Sequence, residues 1–203
     1  HLPEIKHEET EEDRIKDTRI MKLFKHHPMF VFGLFSLLAY EIAEISINSY
    51  FINFVTGQGW MDDNSASMVL TVALGFFMVG RFLGSWIMRR IPAERMLMYC
   101  SLGSVSCLGV VLLDIGHWSM YALIANYLFE AIMFPTIFSL SLQGLGNLTK
   151  SASSLLMMTP IGGCFFLLMG YVADQTNLVV PFLIPFIGYF IVLLYASELS
   201  RKS

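Results

Sequence analysis

Six apolar segments follow one another in this chain, at about 29–55, 65–88, 94–114, 118–142, 152–173 and 178–197, with short polar turns between them. A helix rises ~1.5 Å per residue, so about twenty residues cross the ~30 Å of bilayer hydrocarbon. In lipid every backbone N–H and C=O must be satisfied within the protein, which leaves helices and closed barrels. The alternating ~10-residue pattern of barrel strands is absent. The segments therefore predict an all-α membrane protein with six transmembrane helices. Composition agrees, at 55% hydrophobic and 14% charged residues. The expected domains are a charged cytoplasmic linker or tail at 1–27, a six-helix bundle at 28–199 and a cytoplasmic tail at 200–203. The opening HLPEIKHEETEEDRIKD has no apolar core of a signal peptide and no initiator Met, which suggests a fragment or processed piece.

The basic residues are sorted by side. With six spans, alternate turns lie on alternate sides. Twelve of the thirteen Lys and Arg fall on the side of the N-terminal tail, including Lys25, Arg89, Arg90, Arg95, Lys150 and Arg201. The turns TGQGWMDDNSA, DIGHW and ADQTN hold none. The positive-inside rule then makes both termini cytoplasmic. The remaining basic residue, Arg81, is embedded in the second segment.

Within the first segment stand Glu41 and Glu44. A carboxylate at mid-membrane costs on the order of 3 kcal/mol, and each large aliphatic or Phe returns roughly 0.3–0.6. With fourteen Leu, Ile, Phe and Val in the segment, the sums nearly cancel, so this helix needs companions and its acids need a polar interior. At about 100° per residue, Glu41, Glu44 and Asn48 fall within about 60° of one another. They form a stripe suited to hydrogen-bonding a polar solute or handling protons, or else to bonding other helices. Asn53 lies roughly 120° away. In the fourth segment Asn126 and Glu130 share a face at i, i+4. They are expected to line the site, with a structural ion pair from Glu130 to Arg81 as the alternative.

Other positions read as structural or gating. Gly80 and Gly84 have the small-x-x-x-small spacing of close helix packing. Arg89 and Arg90 mark the interface, and Arg81 lies about 12 Å deeper with a partner expected inside. Pro135 can bend the fourth helix. Pro160, Gly162 and Gly163 suggest a thin, bendable fifth. Cys100, Cys107 and Cys164 lack ligand spacing and read as small buried hydrophobes. No H-E-x-x-H, G-x-S-x-G or phosphate loop occurs, so neither an enzyme, a metal site nor a cofactor is expected.

The stretch FPTIFSLSLQGLGNLTKSASSLLMMTPIGG, Phe134 to Gly163, resembles the tenth and eleventh helices of the fucose:proton symporter family, major-facilitator transporters that include L-fucose and glucose/galactose permeases. YEIAEISINSYFINF, Tyr40 to Phe54, is similar to that family's seventh helix, and GRFLGSWIMRR to the end of its eighth. The resemblance runs from about Leu2 to the C-terminus. It implies the C-terminal half, helices 7–12, of a 6+6 bundle in a bacterial inner membrane, with a 3+3 inverted repeat. It also implies a substrate cavity between the halves and alternating access. Glu44, Asn53 and Arg81 match the family's pattern. Glu130 and Glu41 depart from it, standing where Asn and an apolar residue are expected. The family's proposed coupling acids lie in the other half, so coupling is not assigned to residues here.

The implied function is half of a proton-coupled sugar transporter. Its partners would be sugar, protons, the bilayer and an N-terminal half, with no nucleic acid. Two alternatives are an exporter of another small solute on the same fold, and a non-transporting sensor or structural subunit. Three acids at mid-depth favour transport, because a scaffold gains nothing from them.

Overall fold

A computed structural model describes Ile20, Met21 and residues 23–202. Most of the expected linker therefore lies outside the described residues, as do Lys6, Arg14, Lys16, Arg19 and Lys22. Close to the first span, Leu23 is already buried.

All six expected spans are present as long apolar helices, Pro28–Gly57, Asp63–Ile87, Ala93–Leu112, His117–Ser141, Gly146–Gln175 and Val180–Arg201. The first three are α1 (Pro28–Gly57), α2 (Asp63–Ile87) and α3 (Ala93–Leu112). Span four is broken into α4 (His117–Glu130) and α5 (Met133–Ser141). Span five is α6 (Thr149–Leu156), a 3-10 stretch at Thr159–Phe165 and α7 (Phe166–Gln175). Span six opens with a 3-10 turn at Val180–Phe182 and continues as α8 (Leu183–Lys202). α8 thus runs through most of the segment read as a tail, 200–203.

Local chemistry explains the ends. Pro28 occupies the first position of α1, where a missing N–H costs nothing. Gly59, at φ 71°, turns the chain beyond its C-terminus. Asn177 Oδ1 accepts the N–H groups of Val179 and Val180 at 3.0 and 2.8 Å, so span six starts capped. Pro181 and Pro185 fall in its opening turns, where they do not kink it.

Span one packs against spans four, five and six, and span four against spans one, two and three. Spans three and six pack on each other. Exchanging one with four, two with five and three with six leaves these principal pairings unchanged. Spans one and four run in opposite directions, so the exchange is an inversion, the 3+3 repeat of the expected fold. Burial follows it: spans one and four are the most buried, two and five the least.

The turns sort into two ends. Gln58 Nε2 donates to Asp114 Oδ1 at 3.4 Å, and the Trp60 and His117 rings lie 5.1 Å apart, joining the first and third turns. Asn177 lines a depression with Gln58 and Asp114. At the opposite end His26 and His27 share a depression with Gln143 and Leu199.

One cysteine differs from its expectation. Cys100 is buried and Cys107 half-buried, but Cys164 is exposed. It sits on span five, an outer helix whose Ile161, Leu167 and Tyr171 are exposed as well. An apolar segment in a membrane protein has no need to hide every side from its surroundings.

Candidate functional site

The stripe on α1 forms as its spacing requires. Glu41 is buried at 7% exposure, while Glu44 and Asn48 are half-buried. Glu44 is the hub of the local charges. It interacts electrostatically with Glu41 on its own helix, Arg81 on α2 and Glu130 on α4. Asn48 Oδ1 is buried without a partner, leaving an acceptor free on the same face.

Glu130 and Asn126 come together as the i, i+4 spacing implies. Asn126 Nδ2 donates to Glu130 Oε2 at 2.8 Å. The Tyr189 hydroxyl from α8 donates to the same oxygen. Both residues are fully buried, with Tyr40 and Tyr189 packed against each other beside them at 6.2 Å between ring centroids. Neither residue is open to the surface of this six-helix unit. They lie behind the two tyrosines, inside the six-helix unit.

The break in span four explains two further contacts. Pro135 has no N–H, so the carbonyl four residues back, on Ala131, loses its helical donor. Arg81 Nε supplies one at 3.2 Å. The neighbouring carbonyl, on Glu130, accepts from the Tyr40 hydroxyl at 3.0 Å. The Arg81 guanidinium also lies over the Phe77 ring at 4.9 Å. The alternative of a direct Arg81–Glu130 ion pair is not realised. The ion pair found among the described residues is Glu198–Arg201, at the exposed end of α8. Arg89 and Arg90 are exposed at the end of α2, with Arg90 over Trp86.

Asn53 stands apart. It is exposed and lines a cleft of about 400 Å³ between spans one and five, with Tyr50, Tyr171 and Asp174. The glycines hold helices close. A methyl group at Gly80 would lie 2.8 Å from the Leu128 carbonyl oxygen, and one at Gly84 would overlap Ile132. Gly162 and Gly163 pack against Leu38, Ile42 and Ile45 of α1 from the 3-10 stretch that holds Pro160.

Sequence reasoning missed Tyr40 and Tyr189. Tyr40 had a signal, since it lies four residues before Glu44 on the same face. Tyr189 had none in its own segment. Its neighbour Gly188 brings α8 close to α1, where a methyl group would lie 2.7 Å from the Ala39 carbonyl oxygen. That approach places Tyr189 beside Glu130, 59 residues away in sequence.

Comparison with known proteins gives a consistent result. The model of the Major Facilitator Superfamily matches residues 2–167. The chain is 34% identical over 175 residues to the glucose/galactose transporter of Brucella abortus, covering 85% of this chain and 42% of that protein. It is 30% identical over 167 residues to the L-fucose-proton symporter of Escherichia coli, covering 81% and 38%. The crystal structure of the transporter FucP in its outward conformation superimposes with a TM-score of 0.85 at 28% identity, covering 90% of this chain and 44% of that one. The chain spans less than half the length of each of these proteins.

Proposed function

The chain belongs to the Major Facilitator Superfamily, and we propose that it forms the C-terminal six-helix half of a proton-coupled sugar transporter working by alternating access. This superfamily is one of transporters rather than enzymes. The observation that carries the proposal is the half-buried pair Glu44 and Asn48 on one face of α1, where Asn48 Oδ1 has no hydrogen-bond partner. Sugar hydroxyls, which both donate and accept, suit a carboxylate beside an amide. The relatives' names, glucose/galactose transporter and L-fucose-proton symporter, support this substrate class and a proton as the driving ion. Arg81, fixed on the carbonyl freed by Pro135, would hold α2 against the hinge of span four as the halves rock. Gly80, Gly84, Gly162 and Gly163 would serve the same motion as close-packing positions, and Asn53 would line an outer approach.

One observation favours a second reading. Glu41, Glu44 and Glu130 give three acids against one arginine, an excess that suits export of a cationic solute. Competition by hexoses against competition by amines, in one uptake assay, separates the two.

The test is reconstitution. Liposomes with this half joined to an N-terminal half should accumulate labelled glucose, galactose or fucose when a proton gradient is imposed. Liposomes with the 203-residue chain alone should not, because the face bearing Glu44 then has no opposing wall. Robust uptake by the chain alone would overturn the half-transporter reading.

Orientation is tested separately. On the charge distribution, both termini face the cytoplasm of a bacterial inner membrane. In a background without Cys100, Cys107 and Cys164, the variants Gln58→Cys and Thr176→Cys should react with an impermeant thiol reagent in intact cells. Labelling of Asn147→Cys instead would reverse the topology.

A further inference from the structure

Glu130 is fully buried, and its two carboxyl oxygens are treated unequally. Oε2 accepts from both the Tyr189 hydroxyl and Asn126 Nδ2. Oε1 is buried with no hydrogen-bond partner. Asn126 Oδ1, on the residue that already holds the other oxygen, is also buried and without a donor. An ionised carboxylate would leave a buried charged oxygen with no donor from the protein, which a protein interior tolerates worst. A carboxylic acid costs less in the same place. Its carbonyl oxygen is Oε2, taking two donors, and its hydroxyl is Oε1, a neutral group whose lack of a partner costs far less than an unpaired charge.

The groups around it do not supply a counter-charge in contact. From α1 come Tyr40 and Glu44, the latter a second acid. From α2 comes Arg81, whose Nε is committed to the Ala131 carbonyl. From α4 come Asn126 and Tyr127, and from α8 Tyr189. On α3 the charged residues, Glu94 and Arg95, are confined to the first turn, and Cys100 and Cys107 are thiols; α5 holds no titratable side chain. A metal ion would need several further oxygens, and no cluster of three His, Cys, Asp or Glu suited to one occurs among the described residues. A proton needs no volume.

We propose that the Glu130 carboxyl is a proton-binding site built into this half of the protein, its Oε2 held by Asn126 and Tyr189 and its Oε1 carrying the proton, and that it opens when α4 and α8 part. Glu130 is the last residue of α4, directly before the break that precedes Pro135, so a tilt at that break moves it relative to α8. Loading joins a proton from water to the carboxylate, and unloading returns it to water; no electrons move. Its use in a transport cycle rests on the reading above, but its chemistry does not.

Infrared absorption of the full-length transporter in lipid tests this directly. The parent protein should show the carbonyl stretch of a protonated carboxyl at neutral pH, fading as the buffer is made alkaline. Glu130→Gln should lose that band, and Glu44→Gln should keep it. Tyr189→Phe removes a donor from Oε2 and should move the band to higher frequency. A parent spectrum without the band at neutral pH overturns the proposal, as does a band that sodium abolishes at fixed pH, which would indicate a metal-ion site. If Glu130→Gln does not fold, Tyr189→Phe decides, and an unmoved band refutes the assignment. Sugar uptake measured on the same vesicles keeps the two readings apart: the band without uptake leaves the proton site standing and the transporter reading refuted.

Discussion

Gly80→Leu is expected to remove most of the folded protein. The group a Cβ would meet at Gly80 is the Leu128 backbone carbonyl oxygen at 2.8 Å, with the Ala131 Cβ at 3.0 Å. A flexible side chain can swing away from such a contact; a backbone carbonyl in the last turn of α4 cannot. α2 would have to move outward along its length. Overpacking of this kind costs about 1–3 kcal/mol, and more where backbone is the obstacle. The displacement would also pull Arg81 Nε from the Ala131 carbonyl, leaving a buried acceptor unpaired at about 1–3 kcal/mol more. Gly109→Leu on α3 is the control, because nothing lies within 4 Å of a Cβ there. Thermal unfolding in detergent should show a large drop for Gly80→Leu and little change for Gly109→Leu. A parent-like midpoint for Gly80→Leu would mean that α2 and α4 are not packed through this glycine.

The small-x-x-x-small spacing made this contact legible, because spacing on one helix fixes which residues share a face. The same logic recovered the Glu41, Glu44, Asn48 stripe and the Asn126–Glu130 pair. It placed the span ends well wherever the apolar run and the helix coincide. It placed the start of span five near 152, whereas the helix starts at Gly146. Its first turns, GNLTKSASS, are polar, and hydropathy registers what sits in hydrocarbon rather than where hydrogen bonding begins.

What could not be read was which group of one helix meets which group of another. The partner of Arg81 is a backbone carbonyl, which carries no sequence identity. Pro135 announces that the Ala131 carbonyl is released, but not which side chain takes it up. The depth of Glu130 depends on Tyr189, which reaches it only because Gly188 lets α8 approach Ala39. The exposure of Cys164 follows from span five lying at the edge of the unit. Its hydrophobicity alone is the same in a core and beside lipid.

Replacing Glu44 should separate binding from coupling in the assembled transporter. Glu44 is half-buried and interacts with Glu41, Arg81 and Glu130, so on the proposed reading it would both touch the solute and sense the charges of three helices. Glu44→Ala removes a hydrogen-bonding group from the polar stripe of α1. A polar partner left unpaired costs roughly 1–3 kcal/mol, or about 5- to 150-fold in affinity, with partial water access favouring the lower part of that range. Glu44→Gln keeps the shape and an acceptor oxygen but cannot ionise. If Glu44 only binds, Glu44→Gln should weaken sugar affinity modestly while gradient-driven accumulation survives. If it carries the proton, exchange of sugar across the membrane should survive while accumulation is lost. The first outcome is the expected one, because Glu130 is the enclosed carboxyl and Glu44 the accessible one. Equilibrium binding and counterflow measured beside accumulation decide between them, and a Glu44→Ala variant with parental affinity and parental accumulation would reduce Glu44 to a helix-packing residue.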